Sequence, residues 1–216
     1  MNEPLISIIV PAHNSERTIR KCVDSLLRLD YVNYEIFVVD DGSFDKTKEI
    51  LSEYKSRVNI IENRHVGPSR CRNIAVKKAK GDFLTFTDSD CIVDKNWLKE
   101  LMKGFVNEKV VSTGGIQLSP EDETKFGKMV QEFFNLTGFL GGYIKNKGAE
   151  EIKRVEHNPS CNVAYRKSVF LDIGGFDENL WPSEDVDLDY RLKKRSFEFR
   201  YNPNPHLNSK LLFLRR

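Results

Sequence analysis

The 216-residue chain lacks most of the features that would assign it early. No apolar run approaches the ~18 residues that a membrane-spanning helix needs, and the N-terminus carries no basic-then-apolar signal pattern. Cysteines are few: Cys22, Cys71, Cys91 and Cys161 are widely spaced and form no C-x-x-C pair. That argues against a zinc knuckle or a dithiol redox motif, and the expected setting is reduced and cytoplasmic. Charge of one sign is also missing: 34 basic against 32 acidic residues leave a net +2, so no overall field recruits nucleic acid. Basic side chains do gather late, in Arg191, Lys193, Lys194, Arg195, Arg200, Lys210, Arg215 and Arg216, which leaves open a peripheral contact with the inner face of a membrane beside a plain solvated face. No strand runs into G-x-G-x-x-G or G-x-x-x-x-G-K-[ST], so neither a dinucleotide fingerprint nor a P-loop is supported. With 39% hydrophobic and 31% charged residues, the composition is that of an ordinary soluble globular protein able to bury a core.

What is present is a regular alternation over the first half. Leu5–Val10 and Tyr34–Val39 are continuous apolar runs, the pattern of strands covered on both faces. Pro11 is expected to end the first. Ser15 is expected to cap a helix whose Ile19, Cys22, Val23, Leu26 and Leu27 fall on one face. A second helix carries Ile50, Leu51 and Tyr54, and a third strand spans Val58–Ile61. Gly67-Pro68-Ser69 opens a helix, and Asp82–Asp90 is expected to be a fourth strand that ends in two carboxylates. Strands alternating with helices imply βαβ units and a parallel sheet, with ligands at the carboxyl ends of its strands. The second half is less regular. A strand at Val110–Thr113 is expected to stop at Gly114-Gly115, another spans Asn162–Tyr165, and a last one spans Phe197–Tyr201 before Pro203 and Pro205. The aromatic segment Phe126–Tyr143, with Trp181, is either an acceptor wall or core. His13, His65 and His157 read as structural.

Acidic residues mark the strand ends. Asp40-Asp41-Gly42-Ser43 follows the second strand, and Asp88-Ser89-Asp90 ends the fourth. In extended backbone Asp88 and Asp90 leave the same face. Two convergent carboxylates make an oxygen-donor site for a hard cation, Mn²⁺ or Mg²⁺, which shares its other positions with water and substrate phosphates. With no glycine cradle to hold a diphosphate, such an ion would be needed to neutralise one. Taken alone, Asp88 and Asp90 read equally well as a loop pair before the next helix, and Asp40-Asp41-Gly42 as a plain turn.

In order along the chain, Ser7-Ile8-Ile9-Val10-Pro11-Ala12-His13-Asn14, Val38-Val39-Asp40-Asp41-Gly42-Ser43, Arg72-Asn73, Asp88-Ser89-Asp90, Gly174-Gly175-Phe176-Asp177 and Glu184-Asp185 resemble the family 2 glycosyltransferases over nearly the whole length. The resemblance implies a GT-A fold, an α/β domain with a mixed, mainly parallel sheet flanked by helices. It also implies a sugar-nucleotide donor, a divalent metal and inversion at the anomeric carbon. One domain over 1–216 is expected, with a nucleotide-sugar half at 1–115 and an acceptor and base half at 116–216. Carried over, Pro11, Ala12 and Asn14 wall the nucleoside pocket, and Asp41 with Asp40 hydrogen-bonds the base. Arg72 contacts the base or diphosphate, or is a solvent-facing helix arginine. Asp88, beside Ser89, reaches the ribose or the metal, Asp90 ligates the metal, and His206 is a further ligand or nothing. Asp185, with Glu184 beside it, stands where the family has its general base. No Gln-x-x-Arg-Trp follows Glu184-Asp185, so one sugar added at a time is the simpler expectation. The expected partners are a nucleoside-diphosphate sugar, most simply UDP-linked, and a saccharide or lipid-linked acceptor, with no nucleic acid. The rival reading is a non-catalytic sugar-nucleotide-binding or scaffold domain.

Overall fold

The structure, a computed structural model, describes residues 3–118 and 151–209, together with Lys125 and Met129. The expected aromatic segment Phe126–Tyr143 and the basic residues Lys210, Arg215 and Arg216 lie outside the described residues. So do the side chains of residues 205–209, that of His206 among them.

Two apolar runs set the centre of the fold. The first is β1 (Ile6–Ala12) and the second β2 (Tyr34–Asp41), paired in parallel from Ile6↔Tyr34 to Ala12↔Asp40. Alternation sends Ile6, Ile8, Val10, Ile36 and Val38 into one core and Ile9, Phe37 and Val39 into another on the opposite face. Helix α1 (Ile19–Leu26) covers the first face through Ile19, Cys22, Val23 and Leu26, and α2 (Thr47–Ser52) adds Leu51. Helix α3 (Pro68–Lys78) covers the second through Cys71, Ala75 and Val76. Between them run β3 (Asn59–Asn63), beside β2, and β4 (Phe83–Thr87), on the other side of β1.

The second half turns the sheet antiparallel. After β4 come β5 (Cys91–Val93), α4 (Trp97–Met102), β6 (Val110–Leu118), β7 (Lys153–Val155), β8 (Asn162–Arg166), α5 (Lys167–Asp172), α6 (Glu184–Lys194) and β9 (Glu198–Ser209). The order across the sheet is β3-β2-β1-β4-β8-β6-β9-β5, with β7 on β9, and parallel pairs carry most of the register. Strand β8 runs antiparallel to β4, so Asn162, its first residue, lies opposite Thr87, the last of β4. The chain just before β8 therefore arrives at the same edge as the carboxyl ends of the parallel strands. Because β1 has β2 on one side and β4 on the other, that edge is also where the connections diverge, the usual ligand crevice of such sheets.

Several boundaries differ from the sequence reading. Strand β1 continues through Pro11 to Ala12, paired to β2, while its ladder to β4 stops at Ile9↔Phe86. A residue without an N–H is tolerated in a central strand where one neighbour has already left. Ser15 does not cap α1: its carbonyl takes the N–H groups of Thr18 and Ile19, and its hydroxyl bonds the Ser89 hydroxyl at 2.8 Å. Asp88-Ser89-Asp90 is a turn rather than extended strand, with the Cys91 N–H donating to the Asp88 carbonyl at 3.0 Å. Strand β9 runs through Pro203 and Pro205, which fall where the pairing with β6 jumps from Asn202 to Leu207 and no ladder bond is asked of them.

Strand β6 likewise passes straight through Gly114-Gly115. A Cβ on Gly114 would lie 2.3 Å from Oδ1 of Asn158, a fully buried residue whose amide donates to Ser112 Oγ and the Arg200 carbonyl. The glycine is kept for close approach. Gly114→Ala is expected to cost about 1–3 kcal/mol by overpacking, measured as a shift in the urea midpoint at unchanged slope.

Candidate active site

The crevice is floored by three loops that follow strands. After β1, Asn14 has a positive φ of 48°, its N–H donates to Ser43 Oγ, and its Oδ1 accepts the Phe44 N–H. One loop is thereby stapled to the next. Asp40 accepts from the Ser43 N–H and hydroxyl, which closes its own turn. Asp41, only 4% exposed, accepts the N–H groups of Val66 and Gly67 at 2.7 and 2.8 Å and so fixes the start of α3. Above it the His13 and His65 rings stack at 4.3 Å, and His13 Nδ1 donates to the Asp41 carbonyl. Both acids thus have structural partners inside the protein, and each carboxylate keeps lone pairs beyond them.

Arg72 gathers the rest. The solvent-facing reading of this residue is wrong, since it is 3% exposed. Its Nη2 donates to Asp88 Oδ1 at 2.8 Å and its Nη1 to Glu184 Oε1 at 2.7 Å, while the Phe176 ring lies 5.7 Å from the guanidinium carbon. Burial opposes the arginine's charge, and Asp88 and Glu184 more than restore it. The neighbouring Asn73 clamps Phe176 by both backbone groups, donating to its carbonyl and accepting its N–H. Gly175, at φ 71°, is required there because a Cβ would meet Asn73 Oδ1 at 2.8 Å. Four of the sequence motifs therefore touch one another through Arg72-Asn73.

Asp90 is partly buried, and burial together with the Asp88 charge pushes its carboxyl up to about 6. The donor chemistry fits a hard cation: the Asp90 carboxylate and the Asp88 oxygen that Arg72 does not take are of the type that would hold one. Among the described residues no three His, Cys, Asp or Glu side chains group as a metal site. Three thiols line the surroundings: Cys22 and Cys91 are buried and Cys161 half-buried, and burial holds all three well above the usual thiol range.

Asp185 sits in the first turn of α6, half-buried. Its Oδ2 accepts the Ser160 N–H at 2.9 Å and its Oδ1 the Val186 N–H at 2.8 Å. Burial pushes Glu184 up while Arg72 pulls it down. One turn further on, Asp189 is buried and accepts from His157 Nδ1 at 2.7 Å, the Asn158 N–H at 2.9 Å and the Tyr165 hydroxyl at 2.9 Å. The periodicity of α6 alone gives no hint of this, because an Asp at that position reads as one more solvated acid. Burial pulls His157 down, but Asp189 wins and the imidazole titrates above its ordinary value. This pair ties the 157–160 segment, and with it the Ser160 N–H, to the helix that carries Asp185.

A family model described as glycosyl transferase family 2 matches residues 7–174. A relative from Staphylococcus aureus, named poly(ribitol-phosphate) beta-N-acetylglucosaminyltransferase TarS, is 38% identical over 108 residues, 47% of this chain and 19% of its own length. A mannosyltransferase from Pyrobaculum calidifontis, solved with GDP-Man and Mn²⁺, superposes with a TM-score of 0.77 at 18% identity, covering 98% of this chain and 58% of that one. The S. aureus TarS 1-349 structure with UDP-GlcNAc superposes at 0.70 and 22% identity, covering 96% and 57%. The shared architecture is the GT-A fold.

The His157–Asp189 pair makes a pH prediction. A histidine raised in the folded state contributes stability that is complete below its unfolded value of about 6.5 and is lost as pH climbs through the folded value. The thermal midpoint is expected to fall as pH rises above about 6.5, and His157→Gln is expected to flatten that slope; an equal slope in both proteins refutes it.

Proposed function

The chain belongs to glycosyl transferase family 2, and from that premise we propose that it is an inverting, metal-dependent glycosyltransferase that moves a sugar from a nucleoside diphosphate to an acceptor hydroxyl. The observation that carries this reading is the meeting of the Asp88–Asp90 turn and the Glu184–Asp185 turn on one buried guanidinium. A site for the donor's diphosphate and a carboxylate for the acceptor's proton are needed side by side, and these two turns supply them.

Asp90 and Asp88 are the residues that would hold Mn²⁺ or Mg²⁺, which when bound supplies Lewis-acid stabilisation of the departing diphosphate; the His206 side chain, the third candidate, lies outside the described residues. Asp185 is the base. Its two oxygens, each fixed by one backbone N–H, keep a lone pair for the acceptor hydroxyl proton as that oxygen attacks from the face opposite the nucleotide. Glu184 is held by Arg72 and orients the turn. Pro11, Ala12 and Asn14 wall the nucleoside, with Asp41 and Asp40 beneath the base and Ser89 beside Ser15 at the ribose end. A UDP-linked donor is favoured by the 38%-identical relative named for N-acetylglucosaminyl transfer. The acceptor is a saccharide or a lipid-linked glycan, in polysaccharide or glycoconjugate assembly. Among the described residues no helix is long and apolar enough to cross a membrane. A cytoplasmic setting, in reach of the membrane's inner face, is the proposed location, supported by four free cysteines with no C-x-x-C pair.

Calorimetric titration of UDP, GDP and dTDP with and without Mn²⁺ tests the donor half. One nucleotide is expected to bind with metal and to lose that dependence in Asp90→Ala; no binding under any metal condition sinks the reading. Asp185→Asn is expected to retain nucleotide affinity and lose turnover by about 10²–10⁴-fold, the usual size of a general-base contribution. Undiminished turnover would remove Asp185 from the role.

A further inference from the structure

We propose that Arg72 is a positioning residue that couples the Asp88–Asp90 turn to the Glu184–Asp185 turn, so that a change at either carboxylate is felt at the other. The inference rests on the glycosyltransferase reading only for the use made of that coupling. The geometry itself needs no ligand.

A guanidinium is a rigid planar fork, and most carboxylates that meet one take both prongs. Here the prongs are divided: Nη2 goes to Asp88 and Nη1 to Glu184, residues from opposite halves of the chain. Because the fork is planar, a shift of one carboxylate rotates the plane and moves the other. Arg72 Nε is buried and has no partner among the described residues, so the orientation of the group follows from the two carboxylates and not from satisfying all of its own donors. The Phe176 ring, clamped by Asn73 on both backbone groups, closes off the other side and leaves the arginine no alternative berth.

Two consequences follow. Glu184 is 5% exposed and adjoins Asp185, so the arginine sets where the base stands through one peptide unit. A cation drawn to Asp88 competes with Arg72 for that carboxylate, a diphosphate oxygen competes with Asp88 for the Arg72 Nη2 donor, and in either case the guanidinium leans more on Glu184. Occupation of the donor side would in this way tighten the turn that carries the base. A purely space-filling arginine would hold the two acids independently.

The experiment is a double-variant cycle, read in two ways. Asp88→Asn and Glu184→Gln, singly and together, are melted in the wild-type and Arg72→Lys backgrounds without ligand. With Arg72 present, the fall in midpoint of the double variant is expected to exceed the sum of the singles, since the second substitution strands a buried charge. A double variant that does not fold while both singles do counts as the same result. With lysine, whose single ammonium reaches one carboxylate, the effects are expected to add. Additive losses in the wild-type background overturn the coupling. The second readout is calorimetric affinity for the nucleotide that the wild-type protein binds best with Mn²⁺. Glu184→Gln, which by the proposed function touches no donor atom, is expected to weaken it about tenfold or more, and by less than about twofold further in Arg72→Lys, where tenfold is about 1.4 kcal/mol. Unchanged affinity in Glu184→Gln overturns the proposal. If the wild-type protein binds no nucleotide, the functional reading falls and the melting cycle still decides the coupling.

Discussion

A positive charge with almost no access to water governs this structure. Removing a guanidinium from solvent is costly unless carboxylates replace the lost hydration, and losing either partner afterwards leaves an uncompensated ion in the interior. The Arg72 side chain meets that requirement by drawing one acid from the end of β4 and one from the start of α6. Asp88 lies in a turn, and Glu184 opens a helix that acidic residues would suit anywhere in its first turn. The ion network therefore fixes the separation between two loops that the sheet alone would hold only to within the latitude of their backbones.

The sheet does the coarser part of that work. Three parallel crossovers bring β1, β2 and β4 to one edge, and the reversal at β8 brings the 157–161 segment to the same edge from the opposite chain direction. Parallel topology would have delivered that segment to the far side. Backbone pairing at Thr87↔Asn162 thus sets the approximate distance, the Asp189 hub anchors the segment to α6, and Arg72 trims the result. Coarse and fine placement fall to different interactions, ladder bonds and buried ions.

Much of the fold was legible because it rests on period and apolarity. The runs Ile6–Val10 and Ile36–Val39 admit only buried strands, and the spacing of Ile19, Cys22, Val23 and Leu26 admits only a helix on one face. The ordered motifs pointed to the family that the model match identifies. Less legible were the features that depend on contacts distant in sequence. Nothing local marks Arg72 as buried, since its helix carries basic residues on several sides and the compensating acids lie 16 and 112 positions away. Three-residue strands such as β5 and β7 are too short to show a period. The prolines of β9 read as terminators because the register jump that excuses them is a property of β6. His157 and Asp189 looked ordinary for the same reason, each being defined by the other.

The proline in β1 has a further meaning for the crevice. Pairing between β1 and β4 ends at Ile9↔Phe86, and the chain then presents Pro11, a residue with no hydrogen to offer a neighbouring strand. The two strands cannot simply zip onward, so the gap between the loops that follow them is built into the covalent structure of the backbone. A cleft kept apart by side chains has to be held against collapse when it is empty; one kept apart by a missing N–H has no such tendency to resist. The divergence of the two loops in this sense begins in the backbone, where the ladder ends, and not in the side chains that line them.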